Sequence, residues 1–598
     1  MRTPCRCQAP CFQALEALSL ADCLPVAGSR QFTKPQRSAD NASRVWLNFG
    51  WIFCCRERIC MPAWVSEDSS VWCRSAIGRS CRAYVAMRWF SIAARSSVYV
   101  RSAMLEIAEV GAKVSKEEYE ESLPPLRVDL LNAQFQVRGS DVPVMIVLSG
   151  DDREAVSEVL NLLHQWMDAR YLEAHFFGRR RDRERRYPRF WRYWRVLPAK
   201  GEIGIYAGGY GLGLLADRLT GESDTEEAAR RLEHARRLEQ MLVDDGVLLL
   251  KIWLHLPPDK RRKRLAKARK SPDSVRLAEI DLELYERYDE AKPLIEALLR
   301  QTSTAASPWH LVESSDARHR NVLVARTIRD ALVERLAEPS PQPPEATSEA
   351  AHRKEPNHPG ILASLNLGAE LPREEYKERL DELQGRLWEV SRRCREHGVG
   401  SAVVFEGWDA SGKGGVIRRM TRAMDVQDYR VVPVAAPTPE ELAHHYLWRF
   451  WRRLPAAGRM LICDRSWYGR VLVERVERFA QEQEWRRAYG EINHFEEQLV
   501  EHGMPVLKFW LHIDPETQLE RFAAREQTPF KRHKLTAEDH RNREKWPEYE
   551  AAVEEMVART STDLAPWHLV PANDKRSARI QVLETVCNSL EAALRARG

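Results

Sequence analysis

The sequence has little cysteine after its first 81 residues: nine of the twelve cysteines lie in that segment, and only Cys394, Cys463 and Cys587 follow. Secreted domains that depend on disulfides are dense in cysteine, so the chain after residue 81 is not of that class. The spacing of the nine early cysteines matches no zinc-binding pattern, and no secretory signal sequence is evident. The cysteine-poor remainder is typical of a reducing compartment, and we predict a cytoplasmic location.

Long apolar runs and a strong net charge are also lacking. No segment approaches the roughly 20 consecutive apolar residues of a membrane-spanning helix, so we expect no membrane partner. The 92 Lys and Arg residues are nearly balanced by 87 Asp and Glu residues, which leaves a net charge of +5. This balance argues against a surface covered with nucleic-acid contacts, and we expect no nucleic-acid partner. A chain of 598 residues with 44% hydrophobic residues is expected to fold into two or three globular domains.

The chain contains an internal duplication. "KIWLHL" at 251–256 matches "KFWLHI" at 508–513, an offset of 257 residues. The same offset relates "VGAKVSKEEYEESL" at 110–123 to "LGAELPREEYKERL" at 367–380. Nearer the carboxyl end, "TSTAASPWHLV" and "TSTDLAPWHLV" are 258 residues apart, which indicates an insertion of about one residue. Each copy is long enough to bury its own core, so the pattern predicts two tandem domains.

These matches divide the chain into four parts. We predict one domain at 104–336, called the first copy below, and another at 361–598, called the second copy. The segment 337–360 is rich in Pro, Ser and charged residues, which is typical of a linker. Residues 1–103 lack strand or helix periodicity and are interpreted as a cysteine-rich extension outside both domains, with translation starting at Met104.

Within the second copy, short apolar runs alternate with segments of helical spacing. The runs "SAVVFEG", "YRVVPVA", "RMLICD", "PVLKFWLHI" and "PWHLV" predict buried strands. Residues 439–454, "PEELAHHYLWRFWRRL", have the spacing of a helix. Alternation of this kind predicts an α/β fold with a mostly parallel sheet and helices on both faces. In such folds ligands bind at the carboxyl ends of the strands.

The segment "VVFEGWDASGKGGVIRRM" at 403–420 has the features of a phosphate-binding loop. A predicted strand precedes it and a predicted helix follows, which is the context that the pattern G-x-x-x-x-G-K requires. The backbone N–H groups of such a loop point at phosphate oxygens, at the positive end of the helix dipole. Lys413 would add a positive charge for the transferring phosphoryl group. The predicted phosphate-binding glycines are Gly407, Gly412, Gly414 and Gly415.

Lys413 is followed by Gly414, where the usual pattern has Ser or Thr. The missing hydroxyl removes the usual protein ligand of magnesium, so other hard oxygen atoms must replace it. Asp409 lies inside the loop, and Asp464 ends the predicted strand "RMLICD". We predict that these two carboxylates bind Mg²⁺ or Mn²⁺. The alternatives are a turn residue that satisfies its own backbone at Asp409 and a helix cap at Asp464.

The motifs "GWDASGKGG" and "CDRSWYGRVLVERV", about fifty residues apart, resemble those of the polyphosphate kinase 2 family. The resemblance covers both copies. It implies two tandem P-loop kinase domains, similar to thymidylate kinase and with a helical lid, and Mg²⁺-dependent phosphoryl transfer between inorganic polyphosphate and a nucleotide. Family members with two fused domains typically convert AMP to ADP, which implies polyphosphate and AMP or ADP as partners. Action on ADP or GDP, a non-catalytic polyphosphate-binding role and a homo-oligomeric state stay open as alternatives.

The first copy lacks the residues that the second would use for catalysis. At an offset of 257, Val156 stands for Lys413 and Ala207 stands for Asp464. We therefore predict that the first copy does not catalyse the reaction and serves as a dimer-like partner. Residues that the first copy has lost are the better catalytic candidates. Together with the loop aspartate, the predicted catalytic residues are Lys413, Asp409, Asp464 and Arg465, with Arg470 as a further phosphate ligand.

Features kept in both copies are interpreted as packing. Trp448 and Trp451 have counterparts at Trp191 and Trp194, so we expect these tryptophans to be buried.

A basic stretch at 526–546 follows the "KFWLHI" strand and a helical segment, which is the position of the lid in P-loop kinases. Polyphosphate is a chain of negative charges, so spaced cations would suit it. The alternative is a solvated basic helix with internal acidic partners. The predicted polyphosphate-binding residues are Lys531, Arg532, Lys534, Arg541 and Arg543.

Overall fold

The structure is a computed structural model that describes most of the chain after residue 104. The described ranges are 105–270, 279–338, 360–529 and 537–597, without the side chains of 279–282 and 537–539. The predicted extension at 1–103 lies outside the described residues, as do Lys531, Arg532 and Lys534. Among the described helices, none has the length together with the apolar character that crossing a bilayer demands.

The first copy alternates strands and helices along the chain. Its strands are β1 Val144–Gly150, β2 Leu172–Phe176, β3 Ile203–Ala207, β4 Leu248–His255 and β5 Trp309–Glu313. Its helices are α1 Lys116–Arg138, α2 Arg153–Trp166, α3 Asp182–Arg185, α4 Trp191–Trp194, α5 Gly209–Leu219, α6 Thr225–Asp244, α7 Pro258–Lys270, α8 Glu279–Glu286, α9 Tyr288–Thr302 and α10 Ala317–Ala337.

The second copy repeats this order. Its strands are β6 Ser401–Gly407, β7 Tyr429–Pro433, β8 Met460–Asp464, β9 Val506–His512 and β10 Trp567–Pro571. Its helices are α11 Arg373–Glu396, α12 Lys413–Arg422, α13 Pro439–Leu442, α14 Trp448–Trp451, α15 Val473–Val476, α16 Glu482–Glu501, α17 Pro515–Glu526, α18 Ala537–Glu544, α19 Trp546–Thr560 and α20 Lys575–Arg597. The five strands predicted in this copy are confirmed.

Both copies contain a five-stranded parallel sheet with the same strand order. In the first copy the order is β2-β3-β1-β4-β5, and in the second it is β7-β8-β6-β9-β10. Helices cover both faces of each sheet, so the central strands are buried on both sides and their sequences are almost continuously apolar. The predicted α/β fold with two tandem domains is therefore confirmed.

The helix predicted at 439–454 is wrong, because the chain forms two short helices there, α13 and α14. Between them, the buried His445 accepts a hydrogen bond at Nδ1 from the Leu447 N–H at 3.2 Å, which stabilises a bend. The break also allows Trp448 and Trp451 to be buried together, as predicted, with 4% and 0% exposure.

The two copies pack against each other through equivalent elements. Trp194 of α4 stacks on its own counterpart, Trp451 of α14, with ring centroids 5.6 Å apart and an interplanar angle of 11°. Both tryptophans belong to one hydrophobic cluster that runs through the two copies. A contact between a residue and its own counterpart is expected at a two-fold axis.

Two reciprocal backbone hydrogen bonds confirm this symmetry. The Lys200 N–H donates to the Ala443 carbonyl at 2.9 Å. The Ala457 N–H, at the position equivalent to Lys200, donates to the carbonyl of Arg186, which is equivalent to Ala443, at 2.8 Å. The interface within this single chain therefore has the form of an isologous dimer interface.

Candidate active site

The predicted phosphate-binding loop lies at the carboxyl edge of the second sheet. Strand β6 ends at Gly407, and helix α12 begins at Lys413. The loop needs glycine at its start, since Gly407 has a φ of +146° and a Cβ there would lie 2.5 Å from the Leu511 carbonyl oxygen. The register of β6 and β8 pairs Phe405 with Asp464, so Asp464 at the end of β8 and Asp409 just after β6 lie at the same edge of the sheet.

The Lys413 side chain folds over the loop. Its Nζ donates to the Gly407 carbonyl at 2.5 Å and to the Trp408 carbonyl at 3.2 Å. Burial lowers the pKa of Lys413, and the positive charge of Arg465 adds to this effect, although acidic groups around the loop oppose it. The structure thus holds the ammonium group among the loop atoms, which is where a phosphate would bind.

Asp409 is held between two donors from distant parts of the chain. Arg465 Nη2 donates to its Oδ1 at 3.0 Å, and Asn542 Nδ2 donates to its Oδ2 at 3.0 Å. Burial acts to raise the pKa of Asp409, but the charges of Lys413 and Arg465 and the two hydrogen bonds outweigh it, so the pKa is lowered. Asp409 is therefore a carboxylate, which is the form that binds a metal ion.

The donor set at this edge suits a hard cation. Among the described residues, no donor hydrogen-bonds to the partly exposed Asp464 carboxylate. Asp409 and Asp464 thus offer carboxylate oxygens, the ligands that Mg²⁺ prefers, and Mg²⁺ usually binds one or two carboxylates together with water and substrate phosphates. The residues present therefore fit a magnesium ion. Nearby, burial raises the pKa of Glu406, whose Oε1 accepts a hydrogen bond from Ser466 Oγ at 2.8 Å.

Arg465 adopts a backbone conformation that is unfavourable for an arginine. Its φ is +62°, in the left-handed region where residues other than glycine are uncommon. The equivalent residue in the first copy is Gly208, with a φ of +82°. Backbone strain of this kind is found at functional sites, where a particular side chain is needed.

The remaining predicted cations in the described residues all contact protein groups. Arg470 Nε lies 3.1 Å from Glu474 Oε2. Arg541 Nε lies 3.2 Å from Glu477 Oε2. Arg543 Nη1 donates to the Pro515 carbonyl at 2.7 Å and thereby anchors α18 to the start of α17. The binding of phosphate by Arg470 and of polyphosphate by Arg541 and Arg543 stays a prediction.

Sequence reasoning missed three side chains next to the loop. Trp408 stacks on Trp546 with ring centroids 3.6 Å apart and an interplanar angle of 11°, and Asn542 contacts Asp409 as described above. A signal for these residues was present in the sequence. At the offset of 257 or 258, the first copy has Asp151, Tyr288 and Leu284 in their places, so the copies differ here as they do at Lys413.

A fourth group that sequence reasoning missed is the Ser411 hydroxyl. Its oxygen is buried in the loop and has no hydrogen-bond partner among the described residues. Buried polar groups are usually satisfied, so an orphaned hydroxyl in a phosphate-binding loop is consistent with a ligand as its partner.

The equivalent loop in the first copy is occupied by protein contacts. Asp152, the counterpart of Asp409, caps α2 by accepting from the Ala155 N–H at 3.1 Å. It also accepts from Ser314 Oγ at 2.6 Å and forms an ion pair with Arg264. Asp152 is fully buried. The alternative role named above for Asp409 was a carboxylate that satisfies its own backbone. In the first copy Asp152 has a role of this kind, because it accepts from a nearby backbone N–H.

Known proteins of similar sequence and structure identify the family of this chain. The family Polyphosphate kinase 2 (PPK2) matches residues 113–339 and 370–597. A polyphosphate:AMP phosphotransferase of Pseudomonas aeruginosa is 46% identical over 502 residues, which cover 82% of this chain and 99% of that protein. One of Pseudomonas syringae pv. tomato is 44% identical over 494 residues, with the same coverage of 82% and 99%. A crystal structure of a polyphosphate kinase 2 from Pseudomonas aeruginosa superposes with a TM-score of 0.74 at 45% identity, covering 82% of this chain and 99% of the other. This chain belongs to the polyphosphate kinase 2 family.

Proposed function

We propose that this chain transfers the terminal phosphoryl group of inorganic polyphosphate to AMP and so forms ADP. The observation that supports AMP as the acceptor is the extent of the similarity. The two polyphosphate:AMP phosphotransferases align with this chain over 99% of their own length, which includes both copies. The choice of acceptor thus rests on the tandem architecture, and the choice of donor rests on the family.

The second copy would carry the reaction as an in-line displacement. An oxygen of the AMP phosphate attacks the terminal phosphorus of polyphosphate, the new P–O bond forms, and the bond to the bridging oxygen breaks. Polyphosphate leaves one unit shorter. Lys413 and Arg465 offset the negative charge of the transferring group, which is the main task of a protein in phosphoryl transfer. The AMP phosphate is already ionised at neutral pH, so no strong general base is needed.

Asp409 and Asp464 would hold Mg²⁺ in this scheme. When bound, the ion would neutralise part of the phosphate charge and orient the phosphate oxygens. The contribution of the chain is to place both carboxylates at the edge of the sheet, near Lys413.

The first copy would be non-catalytic and would occupy the position of a second subunit. Its loop has Val156 in place of Lys413, and Asp152 is committed to internal contacts. The reciprocal hydrogen bonds and the Trp194–Trp451 stack supply the interface for such a role.

The test is an assay of the full chain with Mg²⁺, long-chain polyphosphate and one of AMP, ADP or GDP, with products separated by ion-exchange chromatography. We expect ADP from AMP, no ADP with Lys413→Ala, and unchanged formation of ADP with Val156→Ala. ATP formed from ADP as the dominant product would replace the proposed acceptor. In a further reaction ATP replaces polyphosphate, and formation of ADP from AMP only in that reaction would overturn the proposed donor.

A further inference from the structure

Asp409 has one hydrogen-bond donor on each carboxylate oxygen, and the two donors differ in kind. Arg465 at Oδ1 is charged and comes from the loop after β8, whereas Asn542 at Oδ2 is neutral and comes from α18. Each carboxylate oxygen has two acceptor positions, so one position on each oxygen is left after these contacts. The Asp409 side chain is only 14% exposed, so these two donors determine its orientation.

The Asn542 amide is itself held in one orientation. Tyr549 donates its O–H to Asn542 Oδ1 at 3.2 Å. An ionised carboxylate only accepts hydrogen bonds, so the amide presents Nδ2 to Asp409 and leaves Oδ1 to accept from the tyrosine O–H. Tyr549 is 8% exposed, and it lies one turn into α19, where it packs near the stacked rings of Trp408 and Trp546. The amide therefore contacts a tyrosine that is itself packed beside Trp408.

The first copy lacks the amide and the tyrosine of this arrangement. The counterparts of Asn542 and Tyr549 are Leu284 and Ala291, which have no polar side-chain atoms. Both are buried, with 2% and 0% exposure. The loop aspartate persists at Asp152, but its oxygens accept from the backbone, a serine and an arginine of its own domain. The amide on α18 is thus found only in the copy that has Lys413.

We propose that Asn542 is a positioning residue that orients Asp409 toward a divalent cation, an inference that rests on the proposed function. A neutral amide suits this task because it fixes the carboxylate and leaves the negative charge available. Arg465 already places one positive charge on Asp409, and a lysine or arginine in place of Asn542 would add a second that competes with the cation. Because Asn542 reaches from α18 to the loop, the cation site is complete only when α18 lies against the loop.

The experiment compares the full-length protein with Asn542→Leu, which introduces the residue of the first copy. Mn²⁺ binding is measured by electron paramagnetic resonance without nucleotide or polyphosphate, and kcat and KM for AMP are measured at saturating Mg²⁺. We expect Mn²⁺ affinity to fall about tenfold and kcat to fall by a similar factor, with KM for AMP unchanged. Tyr549→Phe, which removes only the hydroxyl that aligns the amide, is expected to act in the same direction with a smaller effect.

Asn493→Leu is the matched control. Asn493 of α16 donates to the Arg559 carbonyl of α19 at 3.0 Å, and among the described residues no hydrogen bond joins it to the loop. Equal Mn²⁺ affinity and kcat in the wild-type, Asn542→Leu and Tyr549→Phe proteins would overturn the positioning role while the proposed function stands. A wild-type protein that binds Mn²⁺ and loses it on Asn542→Leu, but forms no ADP, would overturn the proposed function alone. If Asn542→Leu does not fold, Tyr549→Phe decides the question.

Discussion

The two loops of this chain descend from one sequence, and they differ most in what their aspartates contact. Asp409 accepts one hydrogen bond on each oxygen, whereas Asp152 is fully buried and satisfied by a helix cap, a serine and an arginine. A buried polar group without a partner is costly, and in the first copy the partners of the aspartate come from the protein itself. Retention of an aspartate in both copies therefore does not mean retention of its role.

The residue before this aspartate shows the same trend. Trp408 stacks on Trp546 in the second copy. In the first copy its counterpart Asp151 contacts His255 Nδ1 at 2.9 Å and the Tyr288 hydroxyl at 2.8 Å. An aromatic stack has thus been replaced by a buried polar network, which is stable only because its members satisfy one another. The first loop is thus fixed by polar contacts of Asp151 that Trp408, its counterpart in the second loop, cannot form.

One buried ion pair is the same in both copies and marks what is structural. Lys251 pairs with Glu239 at 2.7 Å, and their counterparts Lys508 and Glu496 pair at 2.8 Å. Both lysines also donate to the carbonyl of the threonine that ends α9 or α19. Since this arrangement survives in the copy without Lys413, it serves the fold.

The largest effect is expected when Lys413 and Val156, the equivalent residues of the two loops, are exchanged. Lys413→Val introduces the residue of the first copy and is expected to lower kcat about 1000-fold, because the positive charge proposed to offset that of the transferring group is removed. The reverse change, Val156→Lys, combined with Lys413→Val, is expected to restore no activity, since Asp152 is already occupied. Formation of ADP by the double variant would show that the first loop is still competent.

The stacked tryptophans test the dimer-like interface. Trp451→Ala is expected to lower the free energy of unfolding by about 3–5 kcal/mol, because it leaves a cavity against Trp194. Urea denaturation followed by circular dichroism measures the change. Trp388→Ala is the control, since Trp388 is 54% exposed, and a shift within about 0.5 kcal/mol is expected there. Equal shifts for the two variants would contradict a buried interface at Trp451.

Arg465→Gly separates function from backbone strain. The change introduces the residue of the first copy at a left-handed position, so stability is expected to stay constant or rise by up to about 1 kcal/mol. The kcat is expected to fall roughly 100-fold, because Asp409 and the transferring group both lose a positive charge. Parallel measurement of thermal unfolding and kcat checks this pair of effects. A loss of stability would show that Arg465 serves the fold instead.

The smallest expected effect concerns pH and the contact between α6 and α16. His494 Nε2 lies 2.7 Å from His234 Nδ1 across the interface between the copies. Burial, with the positive charges of His234 and Arg237 as smaller causes, lowers the pKa of His494 from 6.5 to about 3. The unfolded chain therefore binds a proton that the folded protein does not between pH 6.5 and 3.

Stability from this group is present above pH 6.5 and is lost as the pH falls. Between pH 7.5 and 5.0 we expect a decrease of up to about 2 kcal/mol in the free energy of unfolding. His494→Gln is expected to reduce that decrease, as measured by urea denaturation at both pH values. The same decrease in the variant and the wild-type protein would assign the pH effect to other groups.

Much of the fold was predictable because its determinants are local in the chain. The strands are short apolar runs, and the offset of 257 residues aligns the elements of the two copies without knowledge of any contact. The loop was identified because its strand, glycines and Lys413 are adjacent in sequence. The break between α13 and α14 was not predicted, since the spacing of the tryptophans fits a helix and only burial of His445 and both rings together favours a bend.

The sequence by itself determined the duplication, the α/β class, the position of the predicted phosphate-binding loop and the first copy's lack of Lys413. The tertiary structure alone decided what each aspartate contacts. Asn542 reaches Asp409 across 133 residues of chain, and Trp408 meets Trp546 only when α19 packs beside the loop. Such contacts depend on how helices and sheet pack, and residue types by themselves do not encode the distance between two side chains. This is why Asp409 and Asp152, identical in sequence, have different environments in the folded protein.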